Sequence, residues 1–175
     1  MMPTLRATLG LKGHRPVVGY LDRHDLVYLF GALNLVTGQL TTRLVDKPWA
    51  PAKSPQSRSG QRSLQGGFAR HLRDIARAYP AAHYPSVVLV IDHAPWHRGA
   101  RIAQALNARS HLEFYRLPSD SLELQSIERF WRGLRRRAAH NRLFLTLARL
   151  KHALRNSLCY DYTLKHRVLS YSAPC

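Results

Sequence analysis

Two carboxylates stand out in a chain that has few. Asp92 closes the apolar run VVLVID, and Glu128 opens the basic, aromatic stretch IERFWRGLRRR. A carboxylate at the C-terminal end of a central strand sits where α/β folds place their sites. Hard divalent cations such as Mg2+ or Mn2+ take oxygen ligands from one or two carboxylates plus substrate phosphate. Two such ions bracket a phosphodiester, one activating the attacking oxygen and one stabilising the leaving oxygen. Each acid also has a plainer reading. Asp92 can cap the turn that follows through His93, Ala94 and Pro95. Glu128 can pair with Arg132 one helical turn on, worth about 0.2–0.5 kcal/mol.

The neighbouring residues narrow the chemistry. His93 and His97 are four apart, but no third soft ligand has zinc-site spacing, and Pro95 argues against a helix joining them. His97 suits a place behind the carboxylate or on a phosphate. Arg129, Arg132, Arg135, Arg136 and Arg137 form the densest charge in the chain. They read as a DNA-backbone track or as a solvated helix face. Lys12 and Arg98 complete the set of DNA-contacting candidates. Trp96 and Trp131 read as packing residues.

The overall charge agrees with a polyanionic partner. There are 27 Lys and Arg against 10 Asp and Glu, a formal net charge of +17. Such an excess points most often to nucleic acid. With 175 residues, 45% of them hydrophobic, the chain can build one domain with a core and is not disordered. Two Cys residues exclude a disulfide framework and fit a reducing compartment. The longest aliphatic run, Val87 to Ile91, is far below the roughly 18 residues of a membrane helix. No cationic stretch followed by an apolar block marks a signal peptide. A cytoplasmic protein without a membrane partner is expected.

The elements that must position the acids follow from periodicity. Leu26 to Leu35 reads as a buried strand, Thr37-Gly38 as a turn, and Leu40 to Val45 as the return strand of a hairpin. Residues 46–61, with Pro48, Pro51 and Pro55, read as a polar loop. Leu64, Phe68, Leu72, Ile75 and Tyr79 share one face of a helix that Pro80 ends. Val87 to Ile91 has the pattern of a central strand buried on both faces. Arg101 to Ala108 predicts a short helix, Leu112 to Leu117 a strand, Ile127 to Ala139 a helix, and Leu143 to Leu158 a last helix. The first 19 residues read as irregular. Together these predict an α/β sheet with helical cover.

The segments VVLVIDHAPWHRG and LEFYRLPSDSLELQSIERFWRGLRRRAAHNRLF resemble the DDE-superfamily transposases of bacterial insertion sequences, in the mariner-related branch. That branch has a strand ending in Asp-Asn-Ala-Pro-x-His. Later comes Leu-Pro-x-Tyr-Ser-Pro-x-Leu-Asn-x-Ile-Glu, then an aromatic and basic helix. Asp92 matches the second acid of the triad and Glu128 the third, 36 residues on. Upstream, LKGHRP and VYLFGALNLVTGQL resemble the Lys-Gly loop and the second and third strands. Three features depart from the pattern. His93 stands for the usual Asn. Asp120-Ser121-Leu122 and Leu124-Gln125 stand for Tyr-Ser-Pro and Leu-Asn. The first acid falls upstream of the segment that begins here near Pro3, and Asp22 and Asp25 match the wrong part of the pattern.

The resemblance implies a ribonuclease-H-like mixed sheet flanked by helices, with the first central strand missing. It implies a catalytic domain over 1–160, N-terminally truncated, with a tail over 161–175. It implies Asp92 and Glu128 as ligands of Mg2+ or Mn2+, and cleavage and strand transfer at transposon ends in DNA. The location would be the bacterial cytoplasm at the nucleoid, with a homodimer as the working state. A triad reduced to two acids holds metal less well, so weak or absent catalysis is expected. The alternative is a DNA-binding remnant without catalysis.

Overall fold

A computed structural model describes residues 12–14, 17–19, 27–45, 58–118 and 126–163. Most of the irregular first segment, the Pro-rich loop up to residue 57, residues 119–125 before the predicted helix at Ile127, and the tail after residue 163 lie outside the described residues.

The hairpin comes first. Strands β1 (Leu29–Leu33) and β2 (Leu40–Leu44) pair antiparallel, with Leu33 opposite Leu40 and Phe30 opposite Arg43. The turn between them is fastened by Asn34, whose Oδ1 accepts from the backbone N–H groups of Val36 and Thr37 at 2.9 and 3.0 Å. Gly38 takes φ +69°, the left-handed region a glycine occupies without strain.

The long helix α1 spans Arg58–Ala78. It starts inside the predicted loop, past Pro55, and continues through Gly60, Gly66 and Gly67 because its buried apolar stripe outweighs their low helix propensity. Its apolar stripe is the predicted one: Leu64, Phe68, Leu72, Ile75 and the following Tyr79 are all buried. Strand β3 (Val87–Ile91) and strand β4 (Leu112–Arg116) pair parallel, Val87 opposite Leu112 and Ile91 opposite Arg116. Helix α2 (Ala100–Asn107) makes the crossover between them. Helices α3 (Ser126–Ala138) and α4 (Leu147–Thr163) follow. The last helix starts four residues later than its apolar spacing predicts. Thr146 sets the start, its hydroxyl accepting from the Arg149 N–H at 3.3 Å.

Among the described residues the strands form two separate two-stranded sheets, β1-β2 and β3-β4. Among the described residues this is a mixed α/β arrangement of small sheets flanked by helices, consistent with a ribonuclease-H-like domain, with no closed barrel. Two apolar clusters hold it. The first gathers Phe30 from the hairpin, the α1 stripe, Ile102 of α2 and Leu112 of β4. The second gathers Leu40 with Phe130, Leu134 and Ala138 of α3, against partly buried Leu154 and Leu158 of α4. Alternation along β1 explains the division: Phe30 and Ala32 face α1, while Leu29, Gly31 and Leu33 face α3. Gly31 is required there, since a Cβ would come within 2.5 Å of the Trp131 ring.

One expectation about β3 is corrected. Its run VVLVI is buried on one face only. Ile91 is buried and Val87 and Leu89 pack against the first cluster, but Val88 and Val90 are 57% and 51% exposed. Helices α1 and α2 cover only one side of the β3-β4 pair among the described residues. No described helix is long and apolar enough to cross a membrane.

Candidate active site around Asp92

The strand β3 carries its apolar face into the core and ends at buried Ile91, which leaves the next residue, Asp92, at the rim. The Asp92 side chain is 40% exposed. Its Oδ1 accepts from the Ala94 N–H at 3.0 Å, so the carboxylate fixes the turn that leaves the strand. The capping role and the site role are therefore both open to one side chain. Pro95–His97 then form a single 3-10 turn. That turn brings His97 Nδ1 to 2.8 Å from Asp92 Oδ1.

His97 is firmly held. Its side chain is only 13% exposed, its ring lies 4.3 Å from the Phe68 ring centroid, and Trp96 packs edge-on beside it at 6.1 Å. The loop is also tied from outside. Gln65 of α1 donates to the Arg98 carbonyl at 2.8 Å, Arg98 Nη2 donates to the His93 carbonyl at 2.6 Å, and Arg116 Nη2 donates to the His97 carbonyl at 3.3 Å. Three side chains from α1, β4 and the loop itself thus bond its carbonyls and limit how far Asp92 can move. His93 stays exposed.

Behind this loop lies a titratable group that sequence reasoning did not single out. His71 of α1 is 1% exposed and stacks on Phe30 at 6.1 Å. Neither ring nitrogen has a hydrogen-bond partner. Burial pushes its pKa down to about 4; Asp74 and the Gly31 backbone oppose the shift, and Arg43 and His97 add to it. The Gly31 contact falls short of a formed hydrogen bond. Its spacing gave one signal, since His71 adjoins Leu72 within the apolar face of α1. Asp74 was likewise not singled out. It takes both nitrogens of the Arg43 fork, Nη2 at 2.6 Å from Oδ1 and Nε closer still on Oδ2, and pins α1 to the hairpin.

The other predicted site residues are placed as follows. Glu128 is half-buried in the first turn of α3 and makes no ion pair among the described residues, so its i,i+4 pairing with Arg132 is not formed. Arg132, Arg135 and Arg136 are exposed, while Arg129 and Arg137 are half-buried. Lys12 is exposed in a turn with Gly13. Trp131 is packing, as expected, edge-on to Phe130 at 5.1 Å. The structure brings Asp92 and His97 together. No group of three or more His, Cys, Asp or Glu side chains converges among the described residues. Asp92 and Glu128 are nonetheless hard oxygen donors of the type Mg2+ takes, and the exposure of Asp92 leaves it reachable by a cation.

A family model described as DDE superfamily endonuclease matches residues 60–151, just over half of the chain, from α1 into α4 and including both Asp92 and Glu128. The curated proteins and the solved structures offer no match.

Proposed function

This chain belongs to the DDE superfamily endonucleases, and on that premise we propose that its reaction is transposase-type cleavage and joining of DNA strands at transposon ends, weakened here because Asp92 and Glu128 are two acids where a triad holds metal better. The observation that supports this best is the position of Asp92. It lies at the C-terminal end of β3 inside the matched segment, anchored by Ala94 and flanked by His97. Asp92 and Glu128 would hold a divalent ion, Mg2+ or Mn2+. When bound, such an ion supplies Lewis-acid stabilisation of the attacking and leaving oxygens of a phosphodiester.

The chain's own residues do the rest. His97 Nδ1 lies 2.8 Å from the Asp92 carboxylate without hydrogen-bond geometry, and its packed ring would limit where that carboxylate can move. Gln65, Arg98 and Arg116 keep the loop in one shape. The exposed arginines of α3 would bind backbone phosphates without regard to sequence. Transposon ends as the substrate, and two copies working on paired ends, follow from the family resemblance and belong to this proposal.

Calorimetric titration of the purified chain with Mn2+ tests it. We expect one set of sites that Asp92→Asn and Glu128→Gln each weaken by at least about tenfold, since each removes one of few ligands. Mn2+-dependent nicking of supercoiled DNA, lost in Asp92→Asn, would accompany it. Mn2+ affinity that neither substitution changes would overturn the reading. It would favour the alternative, a DNA-binding protein in which the two acids no longer act.

A further inference from the structure

Helices α1 and α2 lie side by side, and a groove of about 490 Å3 runs between them. Four arginines line it: Arg70 and Arg73 from α1, Arg101 and Arg109 from α2 and the turn that ends it. Small residues such as Ala69 and Ala105 leave its floor open. No lining residue is acidic. The closest acid along α1, Asp74, is engaged with Arg43 of the hairpin. We propose that this groove is a second DNA-backbone site, separate from the basic face of α3, which grips phosphates of a strand that extends beyond the Asp92 loop. The proposal rests on the reading of DNA as the substrate.

Guanidinium groups gathered around one groove repel one another, and the lining itself holds no carboxylate beside Arg70 and Arg73. A polyanion relieves that repulsion. The planar guanidinium fork matches two phosphate oxygens at once, which makes arginine the side chain of choice for a phosphate track. Arg70, Arg73 and Arg101 are exposed and able to reach a ligand. Arg109 is half-buried, and its Nη1 donates to the Ala105 carbonyl at 2.7 Å, which holds that fork in place.

The dimensions fit a chain of phosphates rather than a single ion. A volume of about 490 Å3 is many times the ~30 Å3 share of one water. From Arg101 to the end of α2 at Asn107 the helix advances about 9 Å, at roughly 1.5 Å per residue. That is the axial length of two to three phosphates along one strand of B-DNA, at about 3.4 Å each. One end of the groove also adjoins the candidate active site. Arg101 Nη1 crowds Gly66, where a Cβ would sit 3.1 Å away, and the neighbouring Gln65 bonds the Arg98 carbonyl of the Asp92 loop.

The test is a salt series of binding to a fluorescently labelled duplex of random sequence, followed by anisotropy. Compared are the wild-type chain, R70Q/R73Q, R70K/R73K, R73Q alone and D92N. Each lost phosphate contact should make the slope of log K against log salt shallower by about 0.9. The expected result is a slope shallower by about 2 in R70Q/R73Q and by about 1 in R73Q, with the slope kept in R70K/R73K. D92N should keep the full slope while losing Mn2+ binding, so that failure of the metal site and failure of the groove are told apart. A slope in R70Q/R73Q and R73Q equal to wild type overturns the proposal. So does wild-type binding to duplex RNA in preference to DNA. Should R70Q/R73Q fold poorly by circular dichroism, R73Q and R70K/R73K decide the matter alone.

Discussion

Both β-pairs have strands of five residues, but among the described residues β1-β2 is enclosed between helices and β3-β4 is covered on one side. In the hairpin, Phe30 enters the cluster beneath α1, while Leu29, Leu33 and Leu40 enter the cluster beneath α3 and α4. In the parallel pair, Val87, Leu89, Leu112 and Phe114 meet the α1 cluster, while Val88, Val90 and Tyr115 remain 57%, 51% and 60% exposed. The hairpin therefore serves as the joint between two cores. The parallel pair serves as a platform with a free rim, and that rim carries Asp92. A carboxylate that must meet a cation and a DNA strand needs a rim of this kind.

Four measurements can break or sharpen that contrast. The largest effect should come from the joint. Phe130 is fully buried against the hairpin, so Phe130→Ala should cost about 3–5 kcal/mol in urea unfolding. A loss near zero would mean that α3 is not packed on the hairpin.

Next comes acid. The His71 pKa is lowered to about 4 in the folded chain from an unfolded value near 6.5. The neutral ring is thus favoured by folding. Its contribution is complete above pH 6.5 and is lost as the pH falls towards 4, on the order of 3 kcal/mol in all. Unfolding free energies measured from pH 7 to pH 4 should fall steeply in the wild type and less in His71→Leu. Parallel profiles for the two proteins would contradict the assignment.

A smaller effect is expected at Gly31, where a methyl group would strike Trp131. Gly31→Ala should destabilise by about 1–3 kcal/mol, read as a lowered urea midpoint. The smallest belongs to the platform. Val88→Thr and Val90→Thr should each change stability by no more than about 0.5 kcal/mol. A cost of core size at either position would show that the outer face of β3 is covered after all.

Much of this architecture was legible in the residues. The α1 stripe was readable because a helix repeats its buried face every three or four residues, and all five predicted positions are buried. The hairpin was readable because Thr37-Gly38 supplies turn chemistry between two apolar runs. The place of Asp92 at a strand end was readable as well. The coverage of β3 was not, because an unbroken apolar run such as VVLVI records what a strand tolerates and not which helices reach it. The Arg43–Asp74 pair and the arginine groove were also hidden. Each depends on two elements meeting, and Arg70, Arg73, Arg101 and Arg109 look like ordinary solvated charges until α1 and α2 are side by side. A place for His97 behind the carboxylate or on a phosphate was readable, but its 2.8 Å approach to Asp92 depends on a 3-10 turn that four residues of sequence do not specify.

The central claim is that Asp92 and Glu128 together hold a divalent ion on a basic surface. Paramagnetic broadening of backbone amide signals by Mn2+ in the isotope-labelled chain tests it most directly. Signals around Asp92 and around Glu128 should broaden together at low Mn2+, and Asp92→Asn should abolish broadening at both. Broadening at one segment without the other, or broadening that survives Asp92→Asn, would contradict it.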